Sequence, residues 1–204
     1  MTERVYIAGV SMTPFAVHTS SSVAQLAQQA VRDCLQDAGL AAAAVDAVFY
    51  ANTTQSPLEG QHMVGGQIAL AGIGVDRIPL FNIENACASG SSALNLAIAQ
   101  VRSGNADVAL AVGVEKMNVG DRSRSMAVFN GAYDVSRPDE LHRVLSELGG
   151  EQPGAEPGDR SIFMDIYAAM ARAHMAAFGS TQKQIAAVAA KNHDHAVHNE
   201  HFSS

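Results

Sequence analysis

Over the first 117 positions, short continuous apolar runs alternate with longer stretches in which apolar residues recur at helical spacing. Val5–Val10 is a short apolar run ending in Ser11-Met12-Thr13-Pro14, which predicts a strand and a turn. Val23, Leu26, Ala27, Ala30, Val31, Cys34 and Leu35 share one face of a helix over 22–38, and Gly39 closes it. Val45–Tyr50 predicts the second strand, 61–70 a helix despite Gly65 and Gly66, and Ile78–Ile83 the third strand. Ser89–Arg102 predicts the third helix, stopped by Gly104, and Val108–Val114 a fourth strand apolar enough to be buried on both faces. Strands alternating with helices imply an α/β fold, a mostly parallel sheet with right-handed crossovers and helices on both faces. Ligands of such sheets bind beyond the carboxyl ends of the strands.

After Met117 the pattern changes. Positions 118–160 are rich in Gly, Pro and charge, with one short helix expected around 137–148. This reads as a surface excursion rather than a second core. Two helices follow, at 162–178 and 181–198, split by Gly179, and Thr181-Gln182-Lys183-Gln184 fits a capping box for the second. The expected organisation is a βα core over 1–118 and an inserted loop region with two late helices over 119–204.

The net charge of −7 over 204 residues argues against a nucleic-acid or anionic-membrane surface, and no basic run offsets it. No apolar run approaches a membrane span, and the opening residues lack signal-peptide architecture. The two cysteines, Cys34 and Cys87, stand in unlike settings and give no disulfide framework, so a cytoplasmic location is expected. No Gly-x-x-x-x-Gly-Lys-Ser/Thr loop occurs, which leaves a nucleotide cofactor without support. Asp194, His198 and His201 would share a face if the last helix continued. Metal sites need defined ligand geometry, so a solvated face is the better reading and no metal is expected. His142 and His174 read as packing or surface residues, and Arg122-Ser123-Arg124 as solvated.

The candidate chemistry sits at Asn85-Ala86-Cys87-Ala88-Ser89-Gly90, where an apolar strand turns into an alanine-rich helix. A thiol there lies near the positive end of the helix dipole and near unpaired backbone N–H groups, a setting that favours the thiolate. Ala88, Ser89 and Gly90 add little bulk, so a carbonyl can approach. On geometry alone, a small buried cysteine packing a βα corner fits equally well. Cys34 falls on a helical face and reads as packing.

Together with their neighbours, these residues resemble the N-terminal half of a thiolase, nearest to the sterol-carrier-protein-2 type and its bacterial relatives. Asn85-Ala86-Cys87-Ala88-Ser89-Gly90 resembles the block around the family's acylated cysteine. Gly113-Val114-Glu115-Lys116-Met117 resembles its Gly-x-Glu-x-Met segment. Val5-Tyr6-Ile7-Ala8-Gly9-Val10 with Thr13-Pro14-Phe15, and Lys191-Asn192-His193 in the late helices, fit in order. The resemblance implies a thiolase-like layered fold and acyl transfer on coenzyme A thioesters. Cys87 would be the nucleophile forming an acyl-thioester, its backbone N–H an oxyanion donor, and coenzyme A and acyl-CoA the substrates, with no resident cofactor. It implies a homodimer or larger assembly, with Met117 near a partner's pocket and Met164 in the segment resembling the CoA-facing loop. Glu115 reads as a tie for a loop or the interface, not as a chemical group.

Thiolases are about twice this length, and their second half carries two histidines and, in many members, an acid/base cysteine. Those blocks are absent here, as is the strand expected to complete the N-terminal sheet after the late helices. The fragment alone is therefore expected to be acylated without turning over, and to expose a face the second half would cover. A piece of a longer enzyme, a natural half-chain pairing with a second polypeptide, and a catalytically dead relative stay open, preferred in that order. The rival functions are a thiolase-like carbon–carbon lyase on a bulky, sterol-type acyl-CoA and a non-catalytic interaction subunit.

Overall fold

The structure is a computed structural model that describes residues 4–149, 162–199 and 201. The chain divides into two compact units, Met1–Val119 and Gly120–Ser204.

The first unit is built on three parallel strands, β1 (Ala47–Ala51), β2 (Leu80–Ile83) and β3 (Ala109–Gly113), in the spatial order β2-β1-β3. Phe49 pairs with Phe81 on one side and Ala111 on the other. Residues of β1 alternate between two cores, and all of them are buried. Val48 and Tyr50 join Val23, Leu26, Ala27 and Val31 of helix α1 (Val23–Ala38), together with Leu110 and Val112. Ala47, Phe49 and Ala51 join Ala93 and Ala97 of helix α4 (Ser89–Arg102) on the opposite face. The expected α/β layering, with helices on both faces of a parallel sheet, is thus present. Alanines on both sides let α4 lie close to the sheet, and the aromatic mass sits in the stacked Phe49–Phe81 pair, with ring centroids 5.0 Å apart.

Local signals explain the ends of α1. Ser22 caps it reciprocally with Gln25, and Gly39, at φ +65°, ends it in the left-handed conformation. Across the sheet, the Asp46 carboxylate accepts the Asp107 and Val108 N–H groups at 2.8 and 2.9 Å, pinning the start of β3 to the start of β1.

Two expectations are corrected. Val5–Val10 forms no strand. The Val10 N–H donates to Asp37 (2.9 Å), the Ser11 hydroxyl to the Ala30 carbonyl (2.6 Å) and the Cys34 thiol to the Gly9 carbonyl (3.4 Å), so this segment lies along α1. A cavity of about 710 Å³ is lined by residues 4–11, by β3 and by parts of α1 and α4, and β3 pairs only with β1. The helix expected over 61–70 is instead two short ones, α2 (Gln55–Glu59) and α3 (Gly65–Ala69). Gly60 ends α2 at φ +74°, and Val64, itself left-handed at φ 48°, starts α3.

In the second unit are α5 (Arg122–Ala127), α6 (Pro138–Gly149), α7 (Ile162–Phe178) and α8 (Gln182–Ala196). Phe163 meets Phe129 edge-on at 5.3 Å, and α6 packs on α7. The expected capping box at Thr181 and Gln184 is formed. Met164, Tyr167, Met170 and Phe178 of α7 and Ile185 and Val188 of α8 are exposed. The ion pairs of Arg137 and Arg143 with Asp134, Glu140 and Glu147 are all exposed, so each adds little. No helix of the described residues is long and apolar enough to cross a membrane.

Two groups of the first core tie its stability to pH. Burial, then Glu115 and Glu59, pushes the Tyr50 phenol above its ordinary value of 10.0. Burial, then Asp37, pushes the Cys34 thiol above 9.0. Both are neutral when protonated, and unfolding frees them to ionise at their ordinary values, so these two groups leave stability unchanged below about pH 9 and lower it as pH rises above that. The urea midpoint is expected to drop on going above that pH, and Tyr50→Phe to flatten the drop. An equal drop in parent and variant would remove Tyr50 from the account.

Candidate active site

The carboxyl ends of the three strands are laced together by side chains that follow them. Asn52, just past β1, donates through Nδ2 to the Val114 carbonyl beyond β3 (2.6 Å) and accepts the Gln55 N–H at the start of α2 (2.9 Å). The Asn52 N–H also donates to Ile83 at the end of β2 (3.2 Å). Glu115 clamps the next turn. Its carboxylate accepts the Thr53 N–H, the Thr54 N–H and the Thr54 hydroxyl. Thr54 is buried, so its N–H and hydroxyl would otherwise go unsatisfied away from water. Glu115 thus acts as the loop tie its position suggests.

Next to this clamp the chain turns from β2 into α4 through a single 3-10 turn, Ala86–Ala88. Ala86 holds a left-handed φ of 46°, a conformation residues with a Cβ rarely take. Several bonds hold it there. The buried Ser89 hydroxyl donates to the Ala86 carbonyl (2.7 Å) and accepts the Asn85 N–H (2.8 Å). The Thr53 hydroxyl stands 3.2 Å from that carbonyl and 3.0 Å from the Ser89 oxygen. The Ala86 N–H donates to Glu84 (2.6 Å), and the Ala88 N–H to the Asn85 carbonyl (2.9 Å).

Cys87 rides on this turn, exposed and reduced, just ahead of the first residue of α4. Its neighbours' N–H groups are occupied, whereas the Cys87 N–H and thiol make no hydrogen bond within the described residues. A thiol and a free N–H on one residue can address the carbon and the oxygen of the same carbonyl. The corner-packing reading of Cys87 does not hold, because the side chain is not buried. Cys34 is half-buried in α1, as the helical spacing requires.

Met117 is half-buried beyond β3, in the same unit as Cys87. Met164 belongs to the second unit, exposed near the start of α7. His174 packs its ring on Phe178 at 4.8 Å, and Arg122 and Arg124 lie on α5. Helix α8 ends at Ala196, so no continuous face joins Asp194, His198 and His201. Among the described residues no three His, Cys, Asp or Glu side chains gather to hold a metal. A cavity of about 290 Å³ opens near the ends of β1 and β2, lined by Asn52, Thr53, Ser56, His62, Asn82 and Glu84 among others. Ser56 Oγ lies 2.8 Å from His62 Nδ1 there, a pair the sequence reading did not single out. Ser89 enters that reading only as a small residue and Thr53 not at all, although the polar Asn-Thr-Thr run directly after a buried strand is a usable signal for Thr53.

Fold and site together define a layered α/β unit that presents a cysteine beyond the carboxyl ends of parallel strands. The family "Thiolase, N-terminal domain" matches residues 5–203, and the chain belongs to that family. It is 34% identical over 204 residues to "Non-specific lipid-transfer protein-like 2" of Caenorhabditis elegans, covering 96% of this chain and 45% of that protein. It is 33% identical over 195 residues to the "Acetyl-CoA acetyltransferase" of Methanothermobacter thermautotrophicus, with the same coverage. Against "Sterol carrier protein 2" of Gallus gallus the identity is 30% over 203 residues, covering 98% of this chain and 34% of that protein. The chain therefore spans less than half the length of these relatives. Among solved structures it is similar to 3-oxoacyl-[acyl-carrier-protein] synthase III from Aquifex aeolicus VF5, at 25% identity and a TM-score of 0.44, covering 51% of this chain and 34% of that one.

Proposed function

We propose that the chain supplies the nucleophilic half of a thiolase-type acyltransferase acting on coenzyme A thioesters. The observation that carries this is the exposed Cys87, whose thiol and N–H are both left for a ligand on a turn whose neighbouring N–H groups are bonded. The Cys87 thiolate attacks the 3-oxo carbonyl of a 3-oxoacyl-CoA, and the bond between C2 and C3 breaks. Acetyl-CoA leaves as its enolate and takes up a proton, and the acyl group stays on sulfur. Coenzyme A then lifts it off by thiolysis, and the reverse sequence is a Claisen condensation. The name of the Methanothermobacter thermautotrophicus relative supports this reaction class.

Turnover needs groups that this stretch does not bring to Cys87, since no described histidine or carboxylate bonds to its sulfur. The remaining length of the relatives, in the same chain or a second one, is the proposed source of them. The cavity lined by residues 4–11 and β3 supports this, because β3 is an outer strand of the sheet and the cavity leaves room beside it. A cytoplasmic, homodimeric enzyme with Met117 near a partner's pocket and Met164 facing coenzyme A completes the proposal.

The test is to incubate the chain with 3-oxoacyl-CoAs of different acyl size, then measure intact mass and map the modified peptide. One acyl group on Cys87 per chain is expected, without sustained release of acetyl-CoA. If Cys87 reacts with iodoacetamide but takes no acyl group from any of them, the acyltransferase reading fails. The lyase or the non-catalytic subunit then takes its place.

A further inference from the structure

Ala86 holds a left-handed φ that its surroundings must stabilise, and besides its neighbours Glu84 and Ser89 those surroundings include a group from far along the chain. The hydroxyls on its carbonyl belong to Ser89 of α4 and to Thr53 beyond β1. Thr53 is in turn fixed by its own N–H on Glu115, beyond β3. The conformation of Ala86 sets the direction of the next peptide N–H, that of Cys87. We propose that Glu115 and Thr53 form a positioning relay that fixes the Ala86–Cys87 turn so that the Cys87 N–H meets an oxyanion forming at the sulfur. The relay rests on the acyl-transfer reading but concerns the turn and not the coenzyme A site. Thr53 and Glu115 are positioning residues, since neither touches the reacting atoms.

Two reagents separate aim from access. p-Nitrophenyl acetate acylates a thiolate through an oxyanion: sulfur bonds to the carbonyl carbon, the carbon–oxygen ester bond breaks and p-nitrophenolate leaves. Iodoacetamide alkylates the same thiolate by displacing iodide, with no oxyanion. Both rates are read at the Cys87 peptide by mass spectrometry in the 204-residue chain. In Thr53→Val, which removes the hydroxyl and keeps the bulk, acylation is expected to fall about tenfold with alkylation within about twofold of the parent. Thr53→Ser, which keeps the hydroxyl, is expected to restore the parent ratio. Glu115→Gln, which puts a donor where the Thr54 N–H needs an acceptor, is expected to lower the ratio in the same direction. Thr53→Ala removes the same hydroxyl if the valine variant does not fold.

An unchanged ratio in Thr53→Val, an equal fall in both rates, or a Thr53→Ser variant no better than valine would each overturn the relay. Neither reagent needs a coenzyme A site. A chain acylated by the ester in a Thr53-dependent way but inert to 3-oxoacyl-CoA would sink the acyl-CoA reading and leave the relay standing.

Discussion

Cys87→Ala is expected to abolish covalent capture of an acyl group, a loss of about a thousandfold or more, while Cys34→Ala leaves capture within about twofold of the parent. The two thiols share a chain and differ in exposure and in hydrogen bonding. Cys34 is half-buried on α1, donates to the Gly9 carbonyl at 3.4 Å, and its thiol is pushed above the ordinary range by burial and by Asp37. It is thus hard to reach and kept protonated. Cys87 is exposed, carries no hydrogen bond on sulfur, and sits on a turn whose other N–H groups are occupied. Intact mass after exposure to a 3-oxoacyl-CoA checks this. An adduct persisting in Cys87→Ala, or one lost in Cys34→Ala, would move the nucleophile elsewhere. Cys87→Ser is a sharper control, since it keeps the polar atom and lowers its nucleophilicity at neutral pH.

How far the sequence shows this depends on whether a feature is local. Helices α4 and α7 run as their apolar spacing predicts, Ser89–Arg102 and Ile162–Phe178, because each carries its face and its stop in its own residues. The parallel sheet is equally legible: β1 and β3 are apolar throughout, as strands covered on both faces must be. Val5–Val10 has a strand's composition and no partner, and pairing belongs to two segments, so one segment's pattern cannot reveal the gap beside it. Helix α2 was illegible for another reason: five residues containing Pro57 are too few to show a period. The site divides the same way. Cys87 stands out through the small residues after it. Its support by Thr53, 33 positions before Ala86 in the chain, is created only when the strand ends converge.

Gly66→Ala is expected to destabilise the first unit by about 3 kcal/mol, near the upper end for a single added methyl in a packed core. A Cβ on Gly66 would lie 2.7 Å from Leu80 Cδ2 and from Tyr50 Cβ, and 2.8 Å from Tyr50 Cγ. Tyr50 Cβ and Cγ are the root of a fully buried side chain on the central strand, so they cannot swing aside as the end of a flexible chain does. The Gly66 N–H is also bound to Asn82 Oδ1 at 2.7 Å, which stops α3 from backing away without losing that bond. Gly9 offers the contrasting case. A Cβ there would come within 2.6 Å of the Cys34 carbonyl and 2.7 Å of the Ala38 N, backbone atoms that cannot yield at all. Yet Gly9 lies in the unpaired segment along α1, where Tyr6, Ile7 and Val10 are already exposed, and that segment can lift off. The tighter clash should therefore have the smaller global effect: Gly9→Ala costs about 1 kcal/mol or less and raises hydrogen exchange at Val10, whose N–H would leave Asp37. Urea unfolding of both variants, with amide exchange read at Val10, checks the ordering. Equal global losses would mean that Val5–Val10 belongs to the cooperative core after all, and that the opening beside β3 is part of a tighter packing than its volume suggests.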